Sequence, residues 1–140
     1  MASDKFNFVA TDFENQKMDI LKSNQIEQEH KSWRRIIEFL RQENALLKYR
    51  LSEMVDNNEE NHFLQTAEYF QNELLIKDDM LNKLIDELQK YTELIKDNNA
   101  SSQKIIPMHN KLRNEMIIFQ KKYLVLSKDF NEKMLKIFKD

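Results

Sequence analysis

The sequence predicts an all-α fold, a long antiparallel three-helix bundle or coiled coil running up, down and up, with a possible short N-terminal helix. Three observations carry this. First, 140 residues contain no glycine and one proline, where about ten glycines would be average. Hairpin turns and bulges of sheets draw on glycine's freedom to take positive φ. Second, apolar residues recur in alternating steps of four and three, the spacing of a helix seam. Third, polar clusters at residues 56–58 and 97–102 cut the chain into helix-length pieces.

Residues 1–22 form a segment of their own, flexible or folded as a short helix. Thr11 and Glu14 have the spacing of a capping box, so a helix over about 12–22 is expected. Ser23 and Asn24 either break the helix or are absorbed into a longer one. The bundle itself spans residues 23–140.

The first long helix is expected over about 24–55. Its seam is Ile26, His30, Trp33, Ile37, Leu40, Asn44, Leu47, Leu51 and Met54. Asn44 is the polar member, and a buried Asn at a seam position favours one register over others. Leu40, Leu47 and Met54 are spaced like a leucine zipper. The residues upstream mix Glu27 and Glu29 with Lys31, Arg34 and Arg35, so the basic arm of a DNA-binding zipper is missing.

The second helix is expected over about 58–97, with Asp56, Asn57 and Asn58 as caps and Glu59 and Glu60 in the first turn. Ala67, Leu74, Leu81, Leu88 and Ile95 repeat every seven residues, flanked by Phe63, Phe70, Leu84 and Tyr91. The third helix is expected over about 104–138, with Pro107 in the first turn, where a missing N–H has no partner to lose. Its seam is His109, Leu112, Met116, Phe119, Tyr123, Leu126 and Phe130. Ile117, Ile118, Leu124 and Val125 widen the apolar face beyond what one partner helix covers. Residues 58–100 carry 10 acids and 4 bases, and residues 101–140 carry 9 bases and 4 acids. That asymmetry suits these two helices as neighbours.

Several functions are excluded by composition. Without glycine there is no phosphate-cradling loop of the nucleotide-binding kinds. Without cysteine there is no disulfide, thiol chemistry or cysteine-ligated metal. The absence of cysteine suits a reducing compartment, and the cytoplasm is expected. No apolar run is long enough for a membrane span, the longest uninterrupted aliphatic or aromatic run being the four residues Tyr123–Leu126. A net charge of −2 gives no footprint for nucleic acid. No small-molecule substrate or cofactor is indicated.

The histidines are the one source of candidate chemistry. Glu27 with His30, and Glu59 with His62, each place a carboxylate and an imidazole on one helix face, as in di-metal carboxylate bundles. The two pairs start successive antiparallel helices and so belong at opposite ends. His30 and His109 start helices at the same end, so His30, His109 and Glu27 are the candidate metal ligands. The bland reading is two partly buried histidines near a bundle end. The five residues His62, Phe63, Leu64, Gln65 and Thr66 resemble the phospho-accepting helix of histidine phosphotransfer bundles. The chain lacks the acidic residue that commonly follows the histidine, and Ala67 stands where kinase dimerisation helices have proline. The Lys-Gly of phosphotransfer domains is also missing, so no residue role is carried over.

The expected function is therefore a non-enzymatic helical interaction or scaffold protein, working through self-association as a homodimer or through docking a partner helix. The residues expected to carry this seam are Trp33, Ile37, Leu40, Asn44, Leu47, Leu51, Phe119, Tyr123, Leu126 and Phe130. The alternative is a histidine-based metal-binding or phosphotransfer bundle.

Overall fold

A computed structural model describes residues 2–58, 60–97 and 99–139, with side chains described for residues 23–58, 60–97, 99–134 and 136. The fold is an all-α three-helix bundle. Helix α1 spans Ala2–Asp56, α2 spans Asn61–Lys96 and α3 spans Ser102–Lys139. Ser23 and Asn24 lie inside α1, absorbed into the longer helix. Thr11 and Glu14 also fall within that helix, and their side chains lie outside the described residues.

The chain divides into two compact units, Met1–Arg34 and Arg35–Asp140. In the first unit Glu27 pairs with Lys31 at 3.4 Å, and Gln25 donates to Glu29 at 3.1 Å. Both are exposed i,i+4 contacts, worth a few tenths of a kcal/mol each, on the order of 0.3–0.5. His30 and Trp33 are the buried residues of this unit's described part.

The second unit holds the remainder of α1 with α2 and α3. Each helix buries one row in steps of three and four. The rows are Ile37, Leu40, Asn44, Leu47 and Leu51 on α1, Phe63 through Tyr91 on α2, and His109 through Met134 on α3. Asn44 meets Leu74 and Asp78, while residues further along α1 line a hollow with Gln71 and Leu75. Rising numbers on α1 thus meet falling numbers on α2. The same holds between α2 and α3: Tyr91 meets His109 and Phe70 meets Phe130, edge to face at 5.2 Å. Burying rings in that geometry adds about 0.5–1.5 kcal/mol beyond the area term.

The α2 row differs from the expected one at two places. Lys77 fills the position between Leu74 and Leu81, its stem buried and its ammonium 3.8 Å from Glu73. Ile95 is only half-buried, and the row ends at Tyr91. A lysine serves at position 77 because four methylenes cover apolar neighbours while the charged tip reaches the edge.

Both turns are built without any positive-φ residue among those described. At the first turn the Asn58 side chain accepts the Glu60 N–H at 3.1 Å. Glu60 is then the extended N-cap of α2, so the helix begins at Asn61 and not at 58. The expected first-turn partner Glu59 lies outside the described residues. At the second turn the Asp97 side chain accepts the Asn99 N–H at 2.9 Å, and the Ala100 N–H bonds the Asp97 carbonyl at 3.1 Å. Asp and Asn side chains mimic a backbone turn in this way, which replaces the usual glycine stop. Helix α3 begins at Ser102, whose predecessor Ser101 accepts from both Lys104 and Ile105. Pro107 therefore sits inside the helix, one turn later than expected. The carbonyl it leaves without a helix donor belongs to Gln103, in the exposed opening turn where water can serve it.

Candidate functional site

Among the described residues of the second unit the buried polar or charged side chains are Asn44, Lys77 and His109, and Asn44 belongs to a polar layer midway along it. Asn44 is fully buried and donates to the Leu74 carbonyl at 3.0 Å and to Asp78 Oδ1 at 2.6 Å. Lys48 donates to the other Asp78 oxygen. Asp78 thus ties two α1 side chains to α2. Tyr123 comes from α3 and is itself buried. Its burial, with Glu43 and then Asp78 close by, pushes the phenol above its ordinary range. Asn44 Oδ1 and the Tyr123 hydroxyl are both shut off from solvent and have no hydrogen-bond partner among the described residues. An unmatched buried polar atom costs about 1–3 kcal/mol. Such a layer is a poor stabiliser but a strong selector of helix alignment.

The remaining seam residues Trp33, Ile37, Leu40, Leu47, Leu51, Phe119, Leu126 and Phe130 are all buried. Trp33 belongs to the first unit and the others to the second.

The candidate metal ligands are placed as follows. Glu27 is exposed and paired with Lys31. His30 is buried in the first unit. His109 is buried in the second, with Nδ1 2.7 Å from the Tyr91 hydroxyl. When that hydroxyl donates, the neutral imidazole carries its proton on Nε2. His62 is exposed at the start of α2. Among the described residues no three or more His, Asp or Glu side chains are grouped to hold a metal ion.

One carboxylate pair has unusual electrostatics. Glu115 of α3 faces Glu87 of α2. Partial burial, a hydrogen bond shared with Glu87 and the Glu87 charge raise Glu115 to about 7, against the opposing pull of Lys111. Lys111 lies 3.8 Å away and is itself largely exposed. Two carboxyls that close hold one proton between them more easily than none.

The outer surface carries the larger anomaly. Ile36, Phe39 and Leu40 of α1 and Tyr123 and Leu124 of α3 line an apolar groove of about 640 Å³ between these helices, with Arg35 and Lys121 at its edge. Phe39 is 63% exposed, and Leu124 and Val125 are each 69% exposed. Ile117 and Ile118 add to the same strip of α3. On the far side of α3, Tyr69 and Val125 flank a second hollow, of about 440 Å³, and Lys133 lies 5.8 Å from the Tyr69 ring. The aliphatics of α3 stand out in the sequence because they crowd both sides of the seam. Phe39 does not, since it adjoins Leu40 one place off the seam and reads as part of it.

No helix of the described residues is long and apolar enough to cross a membrane. No protein-family model, curated protein or solved structure matches this chain.

Proposed function

We propose that this chain is a non-enzymatic interaction protein that works by packing helix faces, either against another copy of itself or against a partner helix. A single observation carries the reading: the large apolar side chains left exposed along the α1–α3 groove and the outer strip of α3. Isolated exposed apolar residues are ordinary. Here Phe39 and Leu124 stand exposed at one lined groove, and Ile117, Ile118 and Val125 are exposed elsewhere along α3. Amphipathic helices dock in grooves of this kind through anchors spaced three, four and seven apart. The absence of cysteine suits action in the cytoplasm.

The test is absolute mass by light scattering, with Leu124→Asp as the probe. Leu124 is exposed, so the substitution leaves helicity and melting temperature close to those of the parent. Association, seen as mass above the 17.0 kDa of one chain or as binding of a partner, is expected to fall about tenfold or more, as for the loss of a central apolar anchor. Unchanged association in Leu124→Asp and Phe39→Asp alike would refute docking on this face.

A further inference from the structure

Helices α2 and α3 each carry an exposed strip built to the same spacing with opposite charge. On α3, Ile117 is followed by Lys121 four residues on and by Lys128 seven further. On α2, Leu75 is followed by Asp79 and Asp86 at the same two intervals. All six side chains are exposed. Steps of four and seven keep each trio on one helix stripe. The charges within each trio are roughly 10 Å apart along the helix, at 1.5 Å per residue. Laid parallel, the two stripes set Leu75 on Ile117 and match both carboxylates to both ammonium groups.

We infer that a second copy of this chain occupies the α3 strip, presenting the Leu75–Asp79–Asp86 stripe of its α2. The inference deepens the reading just proposed and rests on it. Charge complementarity selects the occupant: the α3 strip offers ammonium groups around an apolar centre, and the molecule itself displays a stripe of matching period and opposite sign. The contact joins two unlike surfaces, so each copy keeps one free strip and the pair keeps one of each kind. Such head-to-tail contacts extend into rings or open chains unless the geometry closes them. Mass therefore rises with concentration instead of stopping at a fixed dimer.

The test is a charge exchange in the full-length chain, with Lys121→Glu and Lys128→Glu in one variant and Asp79→Lys and Asp86→Lys in another. Every site is exposed, and circular dichroism checks that both variants keep the parent's helicity. The parent is expected to associate more weakly as salt is raised. Each variant alone is expected to associate about tenfold more weakly than the parent, as two attractive contacts become repulsive. An equimolar mixture is expected to regain the parent's mass, because each variant then meets its complement. A parent that stays at one chain's mass at all concentrations overturns the inference, while leaving docking of a different partner standing. So does association that ignores both charge exchanges and salt. In that case loss of association in Leu124→Asp would still support docking of the apolar face by another route. A mixture that fails to regain mass also overturns the pairing of these two stripes.

Discussion

Asn44 shows how one polar side chain can hold a register. It spends both amide hydrogens on α2, one on a carbonyl and one on Asp78. Shifting α1 by one turn would bury that amide against apolar neighbours with no acceptor. Asn44→Ala is expected to lower unfolding free energy by about 1–3 kcal/mol in urea titrations. A loss near zero would show that Asp78 is served equally well by Lys48 alone. Glu115 gives a second measurement at this scale. Its folded pKa of about 7 lies above the ordinary 4.5. Between those values the folded chain holds a proton that the unfolded chain has released. The stabilisation is therefore fully present below about 4.5 and is lost as pH rises through about 7. Melting temperature is expected to fall over that window, and Glu115→Gln is expected to flatten the fall. An identical slope in the variant would locate the effect in other groups.

At the scale of the element, helix and seam were legible because burial on a helix follows a fixed angular step. The buried rows of α1 and α3 follow the four–three stepping read from residue types, except that Ile26 and Met54 at the ends of the α1 seam are only half-buried and Met134 extends the α3 row. Lys77 was not legible: its charge marks it as surface, and only the packed structure shows its stem covering the gap between Leu74 and Leu81. Helix α1 runs from Ala2 where a start near 24 was expected, and the starts of α2 and α3 were misplaced by three and two residues. The reason at α2 and α3 is local, since side chains of Asn58 and Asp97 compete with the helix for backbone N–H groups, and this contest leaves no periodic signal. Asp97→Ala is expected to cost about 1 kcal/mol by removing the acceptor for Asn99. Asp97→Asn keeps that acceptor and is expected to cost much less. Equal losses in the two variants, measured by thermal denaturation, would mean that charge and not the turn bond is what Asp97 contributes.

For the molecule as a whole, the sequence showed more apolar surface than one neighbouring helix can cover, and the structure shows where it is left over. Part of the excess lies along α3 and the α1–α3 groove, and part on the outer faces of α1 and α2, at Leu46, Tyr49, Leu75 and Ile76. What fills that surface was not legible, because a stripe's complement need not be written on the same helix. The histidine pattern is weak for a different reason. Glu-x-x-His spacing is satisfied by any helix carrying those residues, and here Glu27 is taken up by Lys31 and His109 lies against Tyr91.

The two turns have a practical meaning for anyone who wants to watch this protein move. No described residue requires left-handed backbone, and the chain has no native thiol. A cysteine introduced at Asn99 keeps the turn bond, which uses that residue's backbone N–H and not its side chain. One dye attached there gives each molecule a single optical address on the link between α2 and α3, on a background in which no other residue can be labelled by the same chemistry.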